Sequence, residues 1–257
     1  MGKASKIGSV AMTKCFLIAP LKNPTDEIVN EVLHVIGCLK FVFKDVTSII
    51  VDSNSNNGFD CEESLNGLEG VTYLQLGSVK LPVNNRVNQI GYARNAGLDA
   101  IMPSSGDLIV FMDTGVANHA LTIVDLASCM NRYDWDAVTA NQYGRYYDIW
   151  ALRAQGWSDS DCWAAYARYA PILGQKSARD LTVGSKQIVI PETSDWIPVH
   201  SAFGGFGLFR AEVYKDRRFE TDTDGTSVGW DKYFRSGDRV FINPRLRNGG
   251  DPQHLVS

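Results

Sequence analysis

An acidic side chain follows a short apolar run at Asp113, a position that suggests chemistry at the edge of a sheet. Leu108–Met112 are five consecutive apolar residues, too few for a comfortable helix and typical of a strand that is buried on both faces. Asp113 would then lie at the carboxyl edge of the sheet, where open α/β folds bind their ligands. There a carboxylate can bind a ribose or a metal ion. The alternative is that Asp113 only caps the following turn.

Polar residues follow two more strand-like runs, at residues 20–23 and 52–57. Because the carboxyl ends of parallel strands meet at one edge of a sheet, these tips and Asp113 should border one nucleotide pocket. Pro20 belongs to the first tip, and Asp52 in the second would accept hydrogen bonds from a base or a ribose. The alternative is that such loops are polar in any α/β protein.

Two arginines and an asparagine suggest a phosphate-binding element. Arg86 precedes a helix-like segment at 88–102, in which apolar residues recur at 90, 93, 98 and 101. Arg94 and Asn95 would reach a diphosphate from the rim of this helix, since the planar guanidinium donates two parallel charged hydrogen bonds. The alternative is an arginine on a solvated helix face.

Strand-like and helix-like segments alternate in the first half of the chain, which predicts βαβ units and a mainly parallel sheet. The predicted strands cover 15–19, 46–51, 71–76, 107–112 and 137–140, and the predicted helices cover 26–42, 88–102 and 120–131. Later segments suggest a helix at 155–169 and short strands at 188–190, 207–209 and 240–242. We expect a single α/β domain, a Rossmann-type mixed sheet flanked by helices, after an N-terminal tail at 1–13.

Composition narrows the possible partners. The chain has 257 residues, a net charge of −4 and five cysteines. An acidic balance gives no general attraction to nucleic acid, so we expect no nucleic-acid partner. The cysteines are widely spread and predict neither a disulfide framework nor a zinc site. No apolar run reaches the roughly twenty residues of a membrane anchor, and we expect a cytoplasmic protein.

The chain resembles glycosyltransferases of the GT-A fold, which use nucleotide-sugars. The likeness runs from about residue 14 to 255 and is carried by the segments IVDSNSN (50–56), ARNAG (93–97), VFMD (110–113), YDIWALR (147–153) and HSAFGGFGLFR (200–210). The last two are similar to paired segments in fungal capsule-type mannosyltransferase relatives and in glycosyltransferases of large DNA viruses. A viral member would act in the host cytoplasm. The resemblance implies a nucleotide-sugar-binding half at 14–140 and an acceptor-binding half at 141–257.

One departure from the family concerns the metal. The family keeps an acidic Asp-x-Asp motif at this turn, but Gly115 replaces its second acid. A Mn²⁺ or Mg²⁺ ion would then depend on Asp113 and on oxygen atoms of diphosphate and water. His254 resembles the late histidine that completes the metal site in many such enzymes. The alternative is an exposed histidine near the chain end.

The resemblance also implies a catalytic carboxylate. Asp231, in the segment GTSVGWDKYF (225–234), resembles the acid that follows Gly-Trp near the base of several inverting families, and Trp230 would shield the site. The alternative is a charge at the start of a helix. Asp148 is the second candidate, because it lies between Tyr147 and Trp150 and aromatic faces suit a sugar ring. The alternative is that these rings form an aromatic cluster in the core.

Acceptor binding is expected from the aromatic and glycine-rich segments of the second half. Tyr147, Trp150 and Trp230 would face the acceptor, and His200 would bind its hydroxyl groups. Gly204 and Gly205 are expected where a sugar or another backbone segment comes close, since glycine permits either.

Together these features predict a glycosyltransferase that moves a sugar from a uridine or guanosine diphosphate sugar to a hydroxyl of a glycan or glycoprotein. Two other classes stay open. A sugar-nucleotide nucleotidyltransferase uses a similar sheet, but it usually has a glycine-rich segment after the first strand, where this chain has APLKNP (19–24). A catalytically inactive carbohydrate-binding module would explain the missing second acid.

Overall fold

A mixed sheet of eight strands organises the protein. The computed structural model describes residues 14–59, 61–115, 118–220, 229–250 and 252–256, so the expected N-terminal tail lies outside the described residues. The strands are β1 (Lys14–Leu21), β2 (Asp45–Asp52), β3 (Val71–Gln75), β4 (Leu108–Met112), β5 (Ala137–Gln142), β6 (Ile197–Val199), β7 (Phe206–Arg210) and β8 (Val240–Asn248). Their order in the sheet is β3-β2-β1-β4-β7-β5-β8-β6.

The sheet is mainly parallel, as the alternation of elements predicts. β1 pairs in parallel with β2 and β4, β2 with β3, and β5 with β8. β7 runs antiparallel between β4 and β5, and β6 is antiparallel to β8. Because the strands of both halves join one sheet flanked by helices, the prediction of a single α/β domain with a Rossmann-type mixed sheet is confirmed.

Helices cover both faces of the sheet. They are α1 (Asp26–Val42), α2 (Glu62–Leu65), α3 (Arg86–Asp99), α4 (Ile123–Ser128), α5 (Cys162–Leu173), α6 (Gln175–Thr182), α7 (Ala211–Tyr214) and α8 (Gly229–Tyr233). Side chains of β1 alternate between two buried clusters. Phe16 and Ile18 pack with α3 and α8, and Leu17 packs with α1 and α4 on the other face.

Polar capping residues determine where three of the helices begin, because the apolar periodicity alone does not define the first helical residue. Thr25 caps α1, where its hydroxyl accepts from the Ile28 N–H at 3.4 Å. Asn85 caps α3 by accepting from the Asn88 N–H at 2.8 Å, so this helix starts at Arg86, earlier than the apolar spacing predicts. Asp161 caps α5 through the N–H groups of residues 163 and 164, which explains why the predicted helix at 155–169 begins at Cys162 instead.

The strand prediction at 188–190 is wrong. Ile188 and Val189 are 46% and 61% exposed, and Val189 makes one isolated bridge to Arg145. The strand that closes the sheet is β6, which the sequence pattern did not predict because Ile197–Val199 is only three residues long and contains a proline.

The strand order places a crevice beside Asp113. From β1 the chain goes to β2 on one side and later to β4 on the other. Such a switch point opens the sheet at the carboxyl ends of the two strands, which is where α/β folds bind ligands. Across the described ranges, no helix has both the length and the apolar character needed to span a bilayer.

Candidate functional site

A cavity of about 350 Å³ lies at the carboxyl end of β4, within the size range of small-molecule sites. Its lining combines charged and aromatic side chains. The charged or titratable members include Arg86, Arg94, Asp113, Asp148 and His254. The aromatic members are Tyr147, Trp150, Trp163, Phe203, Phe219 and Trp230. The residues predicted for donor, acceptor and metal binding therefore meet in part at one place.

Arg94 is the buried cation of this cavity. It is only 5% exposed, and its guanidinium carbon lies 5.0 Å from the ring centre of Phe203, 5.1 Å from that of Phe219 and 4.5 Å from that of Trp230. One guanidinium nitrogen donates to Asp113 Oδ1 at 2.5 Å, while the buried Nε has no hydrogen-bond partner among the residues that the structure describes. The alternative of a solvated helix-face arginine is thus excluded.

Asp113 is fixed by backbone contacts as well as by Arg94. Its N–H donates to the Gly205 carbonyl at 2.9 Å. The hydroxyl of Thr114 donates to the Pro20 carbonyl at 2.8 Å, which joins the tips of β4 and β1. Gly115 then turns the chain with φ +76°, a conformation that an aspartate adopts only with strain. The residue that departs from the family motif is the residue this turn requires.

Glu31 binds the turn that follows Asp113, a role that the sequence did not predict. It lies on α1, is 4% exposed, and accepts from the N–H of Gly115 at 2.6 Å and from that of Asn118 at 2.5 Å. Burial raises the pKa of the Glu31 carboxyl, while these two hydrogen bonds oppose the shift. The sequence contains one indication of this role: Glu31 is a charged residue that shares a helix face with apolar Ile28 and Val35, three and four positions away.

Asp148 is a second carboxylate at the cavity. Its Oδ2 accepts from the Gly204 N–H at 3.0 Å and its Oδ1 from the Ala151 N–H at 3.3 Å. Burial raises the pKa of Asp148; the negative charge of Asp113 adds to this effect, and the two N–H groups together with His254 oppose it. Asp148 is therefore protonated more readily than an ordinary aspartate.

The two consecutive glycines connect these carboxylates. Gly204 and Gly205 have φ of +66° and +81°. A Cβ at Gly204 would come within 2.5 Å of the Ala140 carbonyl oxygen, so another backbone segment, one of the two expected neighbours, approaches here. Gly204 donates to Asp148 and Gly205 accepts from Asp113. One turn thus sets the positions of both acids.

Three donor-site predictions are not brought to the cavity. Asp52 is 3% exposed and accepts from the hydroxyls of Ser55 and Tyr73. Asn95 accepts from the Phe219 N–H at 2.8 Å and donates to its carbonyl at 2.9 Å, so it holds this ring in place and does not face the cavity. Pro20 contributes its carbonyl to Thr114 and is also absent from the lining.

The predicted acceptor residues divide in the same way. Tyr147, Trp150 and Trp230 line the cavity, whereas His200 is exposed and does not. Gly204 and Gly205 are not in the lining either, and act on it through their bonds to Asp148 and Asp113.

Asp231 is bound to an arginine outside the lining. Arg153 donates to its Oδ2 at 2.9 Å and to Asp161 at 3.0 Å. The same guanidinium donates to the Trp150 and Leu152 carbonyls. Burial raises the pKa of Asp231, and Arg153 opposes the shift. These contacts join α8 to the segment that carries Trp150, and residues 225–228 of the expected motif lie outside the described residues.

A divalent cation finds few protein ligands here. Asp113 and His254 both border the cavity, and the His254 ring stacks on Tyr147 at 6.0 Å between centroids. Among the residues that the structure describes, no three His, Cys, Asp or Glu side chains form a metal-binding group. Since Mg²⁺ keeps several waters and is bound through one or two carboxylates plus substrate phosphates, this donor set fits a cation that arrives with its ligand.

Comparison with known proteins gives a distant likeness in shape. No protein-family profile matches the chain, and no curated protein matches it significantly. Among solved structures, it is similar to glucosyl-3-phosphoglycerate synthase from Mycobacterium tuberculosis. The complex with Mn²⁺, UDP and phosphoglyceric acid aligns over 97% of this chain and 72% of that one, with a TM-score of 0.49 and 16% identity. The UDP complex aligns over 97% and 74%, with a TM-score of 0.48 and 18% identity.

Replacing Glu31 tests its support of the Asp113 turn. Glu31→Ala leaves the N–H groups of Gly115 and Asn118 without their acceptor. We expect the free energy of unfolding to fall by about 1–3 kcal/mol, the cost of unsatisfied buried donors. Urea denaturation measures this change, and Glu27→Ala, on the exposed side of the same helix, should cost clearly less. Equal losses in the two variants would contradict the role.

The raised pKa of Asp148 predicts a pH-dependent stability. Between the ordinary value of 3.8 and the raised one, the folded state binds more protons than the unfolded state, so stability falls as pH rises. Asp148→Asn removes this contribution. We therefore expect the free energy of unfolding of the wild type, minus that of the variant, to decrease as the pH rises above the ordinary aspartate value. A difference that grows with pH would mean that the acid is stabilised in its charged form.

Proposed function

We propose that the protein is a glycosyltransferase that moves a sugar from a nucleotide diphosphate sugar to a hydroxyl of a glycan. The observation that carries the proposal is one cavity in which a buried arginine, the carboxylates of Asp113 and Asp148 and several aromatic faces meet at the carboxyl edge of parallel strands. Each group suits one part of that reaction. The donor is negatively charged, the leaving diphosphate gains charge, and sugar rings pack on aromatic faces.

Arg94 and Arg86 suit the diphosphate. Arg94 is held at the cavity by Asp113 and three rings, so its charge is already oriented before a ligand arrives. Preorganised charge of this kind stabilises a leaving phosphate without further rearrangement. Arg86 is exposed at the rim, begins α3 and has no ion pair with a described residue. It would close on the phosphate oxygens from the solvent side.

Asp148 is the better of the two proposed bases. It lines the cavity beside Tyr147 and Trp150, and burial raises its pKa towards the range in which a carboxylate accepts a proton from a hydroxyl more readily. Asp231 is engaged by Arg153 and is not in the lining. Its proposed part is to position Trp150 through Arg153, which donates to the Trp150 carbonyl.

A Mn²⁺ or Mg²⁺ ion would be held by Asp113 and His254 together with the donor phosphates. When bound, such an ion neutralises charge on the leaving diphosphate. Arg94 carries a permanent positive charge at the same place, and its contact with Asp113 orients it.

A thermal-shift screen of nucleotide-sugars, with and without Mn²⁺, tests the donor site. A ligand at 100 times its dissociation constant adds about 2.7 kcal/mol of stability. We expect a uridine or guanosine diphosphate sugar to stabilise the protein, and Arg86→Ala to weaken its binding about tenfold or more through the loss of a charged hydrogen bond. Arg218→Ala, an exposed arginine that pairs with Asp99, is the matched control and should bind normally.

The outcomes of this screen separate the candidate classes. Stabilisation together with sugar transfer supports the glycosyltransferase, whereas binding without any transfer or hydrolysis indicates an inactive module. Release of pyrophosphate from a nucleoside triphosphate and a sugar phosphate would indicate a nucleotidyltransferase. No stabilisation by any nucleotide-sugar would contradict the proposal.

Paired amide variants test the base. Asp148→Asn should lower the transfer rate by about 100 to 10,000-fold, the usual contribution of a general base, while donor binding by calorimetry stays unchanged. Asp231→Asn keeps a hydrogen-bonding side chain beside Arg153, and we expect it to retain most of the transfer activity. The reverse pattern, with transfer lost only in Asp231→Asn, would assign the base to Asp231.

A further inference from the structure

The hairpin formed by α5 and α6 presents an unusually apolar surface. Ten of the twelve residues of α5 are apolar or aromatic, yet only Cys162 is buried. The described residues include thirteen exposed large hydrophobic side chains. Four of them belong to the hairpin, namely Trp163, Ile172, Leu173 and Leu181, and two more, Ile188 and Val189, follow it in the chain. An exposed apolar cluster of this kind marks a binding surface. At the base of the hairpin, Cys162 and Trp163 line the cavity. The other five exposed side chains are not part of the cavity lining, so the proposed active site does not explain their exposure.

Two adjacent exposed apolar side chains lie at the tip of the hairpin. Ile172 is 76% and Leu173 45% exposed. Pro171 lies in the last turn of α5, and Gly174, with φ +80°, turns the chain into α6. Twelve helical residues span about 18 Å, so the tip projects away from the cavity that Trp163 lines at the other end.

Positive charge surrounds this tip although the chain as a whole has a net charge of −4. From Trp163 to Arg179 the sequence contains Arg168, Lys176 and Arg179 but no Asp or Glu. All three basic residues are exposed. The first acid beyond them is Asp180, which pairs with Lys176 at 2.8 Å. Apolar side chains flanked by basic ones are typical of segments that lie in the headgroup region of an anionic membrane.

We propose that the α5–α6 hairpin docks the protein on an anionic lipid bilayer, with Ile172 and Leu173 among the headgroups and Arg168, Lys176 and Arg179 facing lipid phosphates. Charge favours this occupant over a second copy of the chain, since two such hairpins packed together would bring like charges close. The contact is peripheral. Because Trp163 lines the cavity at the base of the hairpin, docking through the tip leaves the cavity on the side away from the bilayer.

Co-sedimentation with vesicles tests the docking and needs no substrate, so its result is independent of the proposed function. We expect the full chain to bind phosphatidylcholine vesicles that contain about 30 mol% phosphatidylserine, to bind pure phosphatidylcholine weakly, and to dissociate with added salt. The double variant Ile172→Glu, Leu173→Glu should bind at least about tenfold more weakly. Met102→Glu, at a site that is 92% exposed and outside the hairpin, is the matched control and should bind like the wild type.

The basic residues give a second, separate readout. Exchange of Arg168 or of Lys176 for Gln should weaken binding to the anionic vesicles about fivefold each, with little effect on the unfolding temperature. Absence of binding by the wild type, or equal binding by the Ile172→Glu, Leu173→Glu variant, would overturn the proposal. So would sedimentation velocity that shows a dimer abolished by this variant, together with no vesicle binding, since the hairpin would then be a contact between copies.

Discussion

The cavity depends on the contact between Arg94 and Asp113. A buried guanidinium costs several kcal/mol unless it is compensated, and here a carboxylate and three aromatic rings compensate it. Arg94 belongs to α3 and Asp113 to the tip of β4. The three rings come from segments that follow Arg94 by more than a hundred residues in the sequence. The groups that surround the buried guanidinium therefore come from distant parts of the chain. The same groups form the floor of the site.

Around this pair, several polar side chains form hydrogen bonds with the protein itself and are not available to a ligand. Asn95 holds Phe219 through two hydrogen bonds, and Arg153 ties α8 to the segment of Trp150. Asp148 is different, because it faces the cavity and, within the described ranges, accepts hydrogen bonds from two main-chain N–H groups. The division explains how the chain presents a small number of charges to the cavity, of which Arg94, Asp113 and Asp148 are held in a fixed orientation.

The sequence predicted the parallel half of the fold well and the site in part. Apolar runs such as Leu108–Met112 and the spacing of α1 predict buried elements directly, because burial on a sheet or helix face leaves a period in the sequence. Arg94, Asp113 and Asp148 were found by residue type and neighbourhood. Their partners were not, since Glu31 meets Gly115 only after the chain has folded. Asp52 looked like a ligand group for the same reason: the hydroxyl of Tyr73, which occupies it, lies 21 positions away.

The position of Glu31 makes the two faces of the sheet interdependent. The aromatic floor of the cavity lies on one face, and α1 packs on the other. A single carboxylate reaches from α1 to the turn that carries Asp113. Changes in the packing of α1 are therefore transmitted through Glu31 to the turn that follows Asp113. In evolution or in protein design, the layer that faces away from the cavity constrains its chemistry and cannot be exchanged as an independent module.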